Sequence, residues 1–231
     1  MDELKQSLAH IAHLLVSKST IKHHTYKNLC NYFNMIEQVS QELIQSLKIE
    51  RSKYEEQLRL DVVRKGENEF HLTIAGDTII FLMHTNIIKF DDQYHYNKSE
   101  YVQANPARKF LGQINVYNFM ADSIKYNRVN DPGYLISRIL IDFQGRFFVE
   151  GEKPMSFLYG NVSPEPLSAA TLQHLILLMI QTAIEQDLVI PNFEDIRFIS
   201  LQQIDQQMHS TGGGNKIGFQ MSGVKVKDIK A

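Results

Sequence analysis

The sequence has almost no cysteine: Cys30 stands alone among 231 residues. A single thiol cannot close an internal disulfide, and one Cys is no metal site. Its neighbours form an apolar helical pattern, so it suits a small buried filler, and a reducing, cytoplasmic setting fits. The chain also lacks a strong charge of either sign. A net charge of −2 excludes a global basic field for nucleic acid, though a local patch is still allowed. Long apolar runs are missing as well. The most apolar stretch, residues 172–184, is short and interrupted by Gln and Thr, so no membrane span is expected. The first residues start acidic and are periodic rather than continuously apolar, unlike a signal peptide. Without an export signal the sequons at Asn97 and Asn161 carry no meaning. Motifs of catalysis are absent too. There is no G-x-S-x-G elbow, no H-E-x-x-H, no paired C-x-x-C and no dinucleotide fingerprint. GGGNKIG lacks the spacing of a phosphate loop.

What is present is ordinary globular composition, 43% hydrophobic and 22% charged. Leu4, Leu8, Ile11 and Leu15 step by four and three, which predicts a helix with one narrow apolar seam. Small polar and β-branched residues over Ser17–Thr25 predict a break. Leu29, Phe33, Ile36, Leu43 and Leu47 then mark a second helix that continues to about Leu58. Two readings follow for residues 1–58: a helical hairpin through which the chain forms a homo-oligomer, or a cover over one face of a sheet. His10 and His13 share a helical face and His23 and His24 are adjacent, but no third metal ligand has recognisable spacing.

From Leu60 the period drops to two. LDVVRK, EFHLTIA and TIIFLMHTN predict three antiparallel strands, with a tight turn at Gly76-Asp77 in which glycine supplies the positive φ. A short fourth strand fits IIKF. The tyrosine-bearing YHYNKSEYV suits an edge strand and ANPARK a loop. GQINVYNF alternates as a strand does, while FMADSIKYN reads as helix. YLISRILIDF and RFFVEGE flank Gln144-Gly145 and give the clearest hairpin in the chain. Its Arg138, Asp142, Arg146 and Glu150 suit cross-strand charge pairs. MSFLYG suits a further strand. A C-terminal helix near Pro166 turns Leu172, Leu175, Ile176, Met179, Ile180 and Ala183 to the core. IRFISL suits a last strand. Residues 206–231 lose pattern, carry four lysines against one aspartate, and read as a disordered basic tail.

The expected fold is therefore α+β: an antiparallel sheet over residues 59–205 with an N-terminal helical hairpin, a covering C-terminal helix and the tail. Loops on a rigid scaffold often carry function. The turn-rich connector Tyr126–Tyr134 makes Asp122, Lys125, Arg128 and Tyr134 the candidate ligand-binding residues, on a non-catalytic binding or regulatory module for a small molecule or protein partner. No cofactor is expected. Element order over about residues 43–186 resembles GAF- and PAS-type sensory modules, which implies dimerisation through leading helices and a small molecule held between sheet and loops. The segment INVYNFMADSIKYNRVNDPGYLISRI resembles that of bacterial proteins to which no activity is attached. Asp142, Glu150 and Lys153 loosely resemble the PD-(D/E)xK nucleases, implying Mg²⁺ on the carboxylates and a lysine beside the attacking water. Lys153 falls one residue late for that pattern, which on a strand moves it to the opposite face. A third reading is nucleic-acid binding through the basic tail with Arg108 and Lys109.

Overall fold

The computed structural model describes residues 2–52, 58–189, 193–198, 201 and 220–221. Its first element is longer than the sequence pattern suggests. Helix α1 (Asp2–Leu14), a π-helical turn (Leu15–Ser19) and helix α2 (Thr20–Arg51) follow one another without leaving right-handed helical geometry. The expected hairpin break is thus corrected to a continuous helix. The hydroxyls that suggested a break are used within it: Ser17 Oγ donates to the His13 carbonyl at 2.7 Å and Thr25 Oγ1 to that of Ile21 at 2.8 Å. The helix ends at Arg51, and the expected continuation over residues 53–57 lies outside the described residues.

Six strands follow: β1 (Leu60–Gly66), β2 (Glu69–Ile74), β3 (Asp77–Met83), β4 (Gly112–Met120), β5 (Tyr134–Ile141) and β6 (Phe147–Gly151). They form one antiparallel sheet in chain order. Each strand therefore pairs with its sequence neighbour, and short turns join β1 to β2, β2 to β3 and β5 to β6. Helix and sheet together make the fold α+β. The β2–β3 turn is centred one residue earlier than expected, on Ala75-Gly76, because Ile74 pairs with Asp77. The positive φ, 51°, belongs to Ala75. This register sets Phe70 opposite Phe81, and the two rings stack with centroids 4.5 Å apart.

Two helices bury one face of the sheet. From Thr25 onward α2 inserts Leu29, Phe33, Ile36, Val39 and Ile44 into the core. Helix α2 is thus part of that core rather than an appendage to it. The C-terminal helix, α6 in chain order (Ala169–Ile184), buries the six residues that its periodicity marks. It starts three residues after Pro166, where the Ser168 side chain accepts the Thr171 amide. A β-bulge re-aims β5. Val116 pairs with Ser137 and Tyr117 with Leu135, so Ile136 turns into the core and Leu135 stays exposed. Ile136 thus joins Ile139 and Ile141 in the main core, where strict alternation along the strand would have placed Leu135.

Of the 28 residues between β3 and β4, the middle part, from Phe90 to Val102, packs on the opposite face over β5 and β6. The expected edge strand over YHYNKSEYV is instead a 3₁₀ turn at His95–Lys98 followed by helix α3 (Glu100–Ala104), with a second 3₁₀ turn at Pro106–Lys109. Ser99 caps α3 by accepting the Val102 amide, and Asn105 caps the last turn by accepting that of Ala107. Tyr96, Val102 and Leu111 pack on Leu140 and Phe148, forming a second, smaller core. The strand expected near IIKF reduces to one bridge, Ile88 to Leu111.

Helix α4 (Ala121–Lys125) continues β4, as FMADSIKYN suggests. MSFLYG is helix α5 (Met155–Tyr159) rather than a strand, with Met155 buried and Phe157 exposed. Of IRFISL, Ile196 ends a short helix, α7 (Phe193–Ile196), and Arg197, Phe198 and Leu201 are not in a strand; residues 199–200 lie outside the described residues. Within the tail only Gln220–Met221 is described; it forms β8, paired with β7 (Leu188–Val189). The remainder of residues 206–231 lies outside the described residues. Among the described residues no helix is long and apolar enough to cross a membrane.

Candidate functional site

The connector after α4 closes on itself. Asp131 is buried, and its Oδ2 accepts the Ser123 hydroxyl at 2.5 Å, with Arg128 Nη1 at 4.0 Å. The Arg128 guanidinium and the Lys125 ammonium lie over the Tyr126 ring, 5.3 and 4.9 Å from its centroid. Asp122 is exposed. Tyr134 is turned away, its phenol donating to Glu152. The structure thus brings Lys125 and Arg128 together on one ring and leaves Asp122 and Tyr134 apart from them. Lys125 also borders a hollow of about 160 Å³ with Arg59, Lys65 and His71 on the open sheet face.

The β5–β6 hairpin carries a different set of charges. Arg138 pairs with Glu150 across the strands, Nε to Oε2 being 2.6 Å, as cross-strand opposition predicts. Asp142 is no surface partner of Arg146. It is buried, accepting the amides of Gln144 (2.8 Å) and Arg146 (3.0 Å) on Oδ1 and the Tyr101 phenol on Oδ2. The hairpin loop needs Gly145, at φ 80°, where a side chain would strike Tyr32. Asp142 and Glu150 occupy register positions four residues apart, about 13 Å along a strand. Lys153 is exposed beyond the strand end. The three residues of the nuclease pattern are therefore not drawn together. Among the described residues no group of three His, Cys, Asp or Glu side chains could hold a metal ion, the histidines of α1 and α2 included.

Three phenols donate to three carboxylates along this hairpin: Tyr94 to Glu150, Tyr101 to Asp142 and Tyr134 to Glu152. Burial, then the carboxylate bond, pushes Tyr94 up to about 12. Tyr101 and Tyr134 are raised for the same reasons, and Tyr96 by burial and then by the charge of Asp142. A raised folded-state pKa contributes stability that is complete below the unfolded value, about 10, and is lost as pH rises through the folded value. Denaturant melts at increasing pH should therefore show a steep loss of stability between pH 10 and 12. Phenolate absorbance should lag behind that of a model tyrosine until the chain unfolds. Stability flat across that interval would contradict the pairing.

A larger hollow with converging charge lies elsewhere. Ser17, Lys18, Ile21 and Lys22, where the π-helical turn meets α2, form one wall of a cleft of about 650 Å³. Ile87, Ile88, Lys89 and Asp92 form the second wall, and Pro106, Ala107, Lys109 and Phe110 the third. Its floor is apolar and its rim holds four lysines against one aspartate. Lys109 Nζ is 3.8 Å from Asp92 Oδ1, and Lys22 Nζ is 5.4 Å from the Phe110 ring centroid. Lys18 and Lys89 are exposed with no ion pair among the described residues. A π-helical turn often sits at a functional site because its widened ladder re-aims neighbouring side chains. A volume of this order, with apolar lining and a few charged groups, suits a small molecule.

Of these residues the sequence pattern marks only Lys109. Its neighbour Arg108 is committed to the hairpin instead, Nε donating to Gln144 at 2.9 Å and Nη1 to the Tyr101 carbonyl at 2.8 Å. Lys18, Lys22 and Lys89 give no local signal, because they come from segments about seventy residues apart. The molecule these features define is an α+β protein with a sequential antiparallel sheet, a two-helix cover and a lysine-ringed cleft. Comparison with protein-family models, curated proteins and solved structures finds no match.

Proposed function

We propose that the chain is a non-catalytic binding or regulatory module, acting in the cytoplasm as a homodimer through its N-terminal helix, whose ligand is a small anion with an apolar body. The observation that carries the ligand class is the cleft: four lysines around an apolar floor of Ile21, Ile87, Ile88 and Phe110. Unpaired ammonium groups attract a compound with more than one negative charge, such as a phosphorylated or dicarboxylate molecule. The apolar floor accepts its uncharged part. Lys125 and Arg128 lie on the Tyr126 ring and Tyr134 donates to Glu152, which favours the cleft over the connector as the binding site.

Calorimetric titration with nucleoside phosphates, pyrophosphate and an aromatic dicarboxylate tests this reading. At least one probe should bind, and the double variant Lys22→Glu with Lys89→Glu should weaken it by about tenfold or more through charge reversal. Arg128→Ala should leave the affinity unchanged. Binding that survives the double charge reversal, or that disappears in Arg128→Ala, would refute the assignment. So would a failure of all three probes.

A further inference from the structure

We infer that the exposed seam of α1 is covered by the same seam of a second copy, running antiparallel about a two-fold axis between Ala9 and His10. The inference rests on the homodimeric assembly proposed above and specifies its geometry. Every residue from Glu3 to Val16 is exposed, whereas from Thr25 the helix is packed on the sheet. Leu4, Leu8, Ile11 and Leu15 stand 67, 57, 52 and 58% exposed. A helix of this length is marginal by itself in water and needs an apolar partner. Among the described residues its own domain supplies none, and the helix runs through the π-helical turn into α2 with no loop in which to fold back.

Two features choose the second copy and its direction. The steps between the seam residues are four, three and four, a spacing that reads the same in both directions. A two-fold axis therefore sets Leu4 opposite Leu15 and Leu8 opposite Ile11, one patch meeting itself as an isologous interface requires. Charge sets the orientation. Glu3 lies near one end of the seam and Lys18 near the other, so antiparallel copies place opposite charges side by side. Parallel copies would place Glu3 beside Glu3 and Lys18 beside Lys18, which is repulsive.

Sedimentation of the full chain reads assembly, and cysteine crosslinking in a Cys30→Ser background reads direction. The chain should sediment at twice its 26.7 kDa mass. Leu8→Glu should weaken the dimer by about 10²-fold or more, since the substitution acts once in each copy, with the core's near-ultraviolet circular dichroism unchanged. A mixture of E3C and K18C variants should form a disulfide between the two variants, while neither variant alone should crosslink efficiently. A monomer at all concentrations would overturn the dimer itself. A dimer indifferent to Leu8→Glu would keep the homodimer and overturn this seam. Efficient crosslinking of E3C to itself would keep the seam and overturn the antiparallel direction.

Discussion

Phe33→Ala should destabilise the protein by about 3–5 kcal/mol, the usual cost of removing a buried phenylalanine. Phe33 is fully buried on α2, with its ring centroid 5.3 Å from that of Phe70. Phe70 in turn stacks on Phe81, so the three rings tie the helix to adjacent strands β2 and β3. The Arg64 guanidinium lies 4.8 Å from the Phe33 centroid and is held by Glu37 at 2.6 Å and the Glu67 carbonyl at 2.6 Å. Removal of the ring would leave a cavity and take a packing surface from a guanidinium that is already fixed. Domains of ordinary size are stable by about 5–15 kcal/mol, so this one change would remove a large share. Urea melts measure it. A loss below about 1 kcal/mol would show that α2 is not packed through this ring.

Asp142→Ala should be the second severe substitution, costing about 3 kcal/mol, because hydrogen bonds to a charged acceptor are worth about 1.5–3 kcal/mol each and their donors would be left unmatched. Those donors are the amides of Gln144 and Arg146 and the phenol of Tyr101. Their loss would loosen the β5–β6 loop together with the tyrosine-rich cover above it. Asp142→Asn keeps an acceptor for the amides and should cost far less. The two variants also separate by pH. Burial pushes the Asp142 carboxyl above its ordinary value, although the Tyr101 and backbone bonds act against that rise. The contribution of a raised carboxyl is complete below its unfolded value, near 4, and is lost as pH rises through the folded one. The native chain should therefore gain on Asp142→Asn as the pH is lowered from 7 and fall back as it rises. Denaturant melts of both chains across that range check the sign. A gap that widens in the native chain's favour at higher pH would contradict the burial argument.

The elements legible in the sequence are those whose pattern is local. The buried face of α6 follows residue by residue from its helical period, since one side of that helix meets the sheet and the other meets solvent. The β5–β6 hairpin follows from two alternating runs around a turn, and β4 from the alternation of GQINVYNF. Three other local signals take a different role in the folded chain. Ser17 and Thr25 bond back into their own helix instead of breaking it. The tyrosines near residues 94–101 do not alternate because they pack downward from turns onto Leu140 and Phe148. The bulge at Ile136 reverses a face that strict alternation assigns to Leu135.

By itself, then, the sequence determined the class of fold and the strong periodic elements, because hydrophobic period depends only on which side of a segment meets the core. It also marked the seam of α1, which is apolar whether or not anything covers it. The tertiary structure decided where charge converges. It turned Arg128 and Asp142 inward onto neighbouring groups, and it gathered Lys18, Lys22, Lys89 and Lys109 around one apolar floor. Those four lysines come from three segments that meet only after the sheet has formed, and no spacing along the chain can encode that meeting.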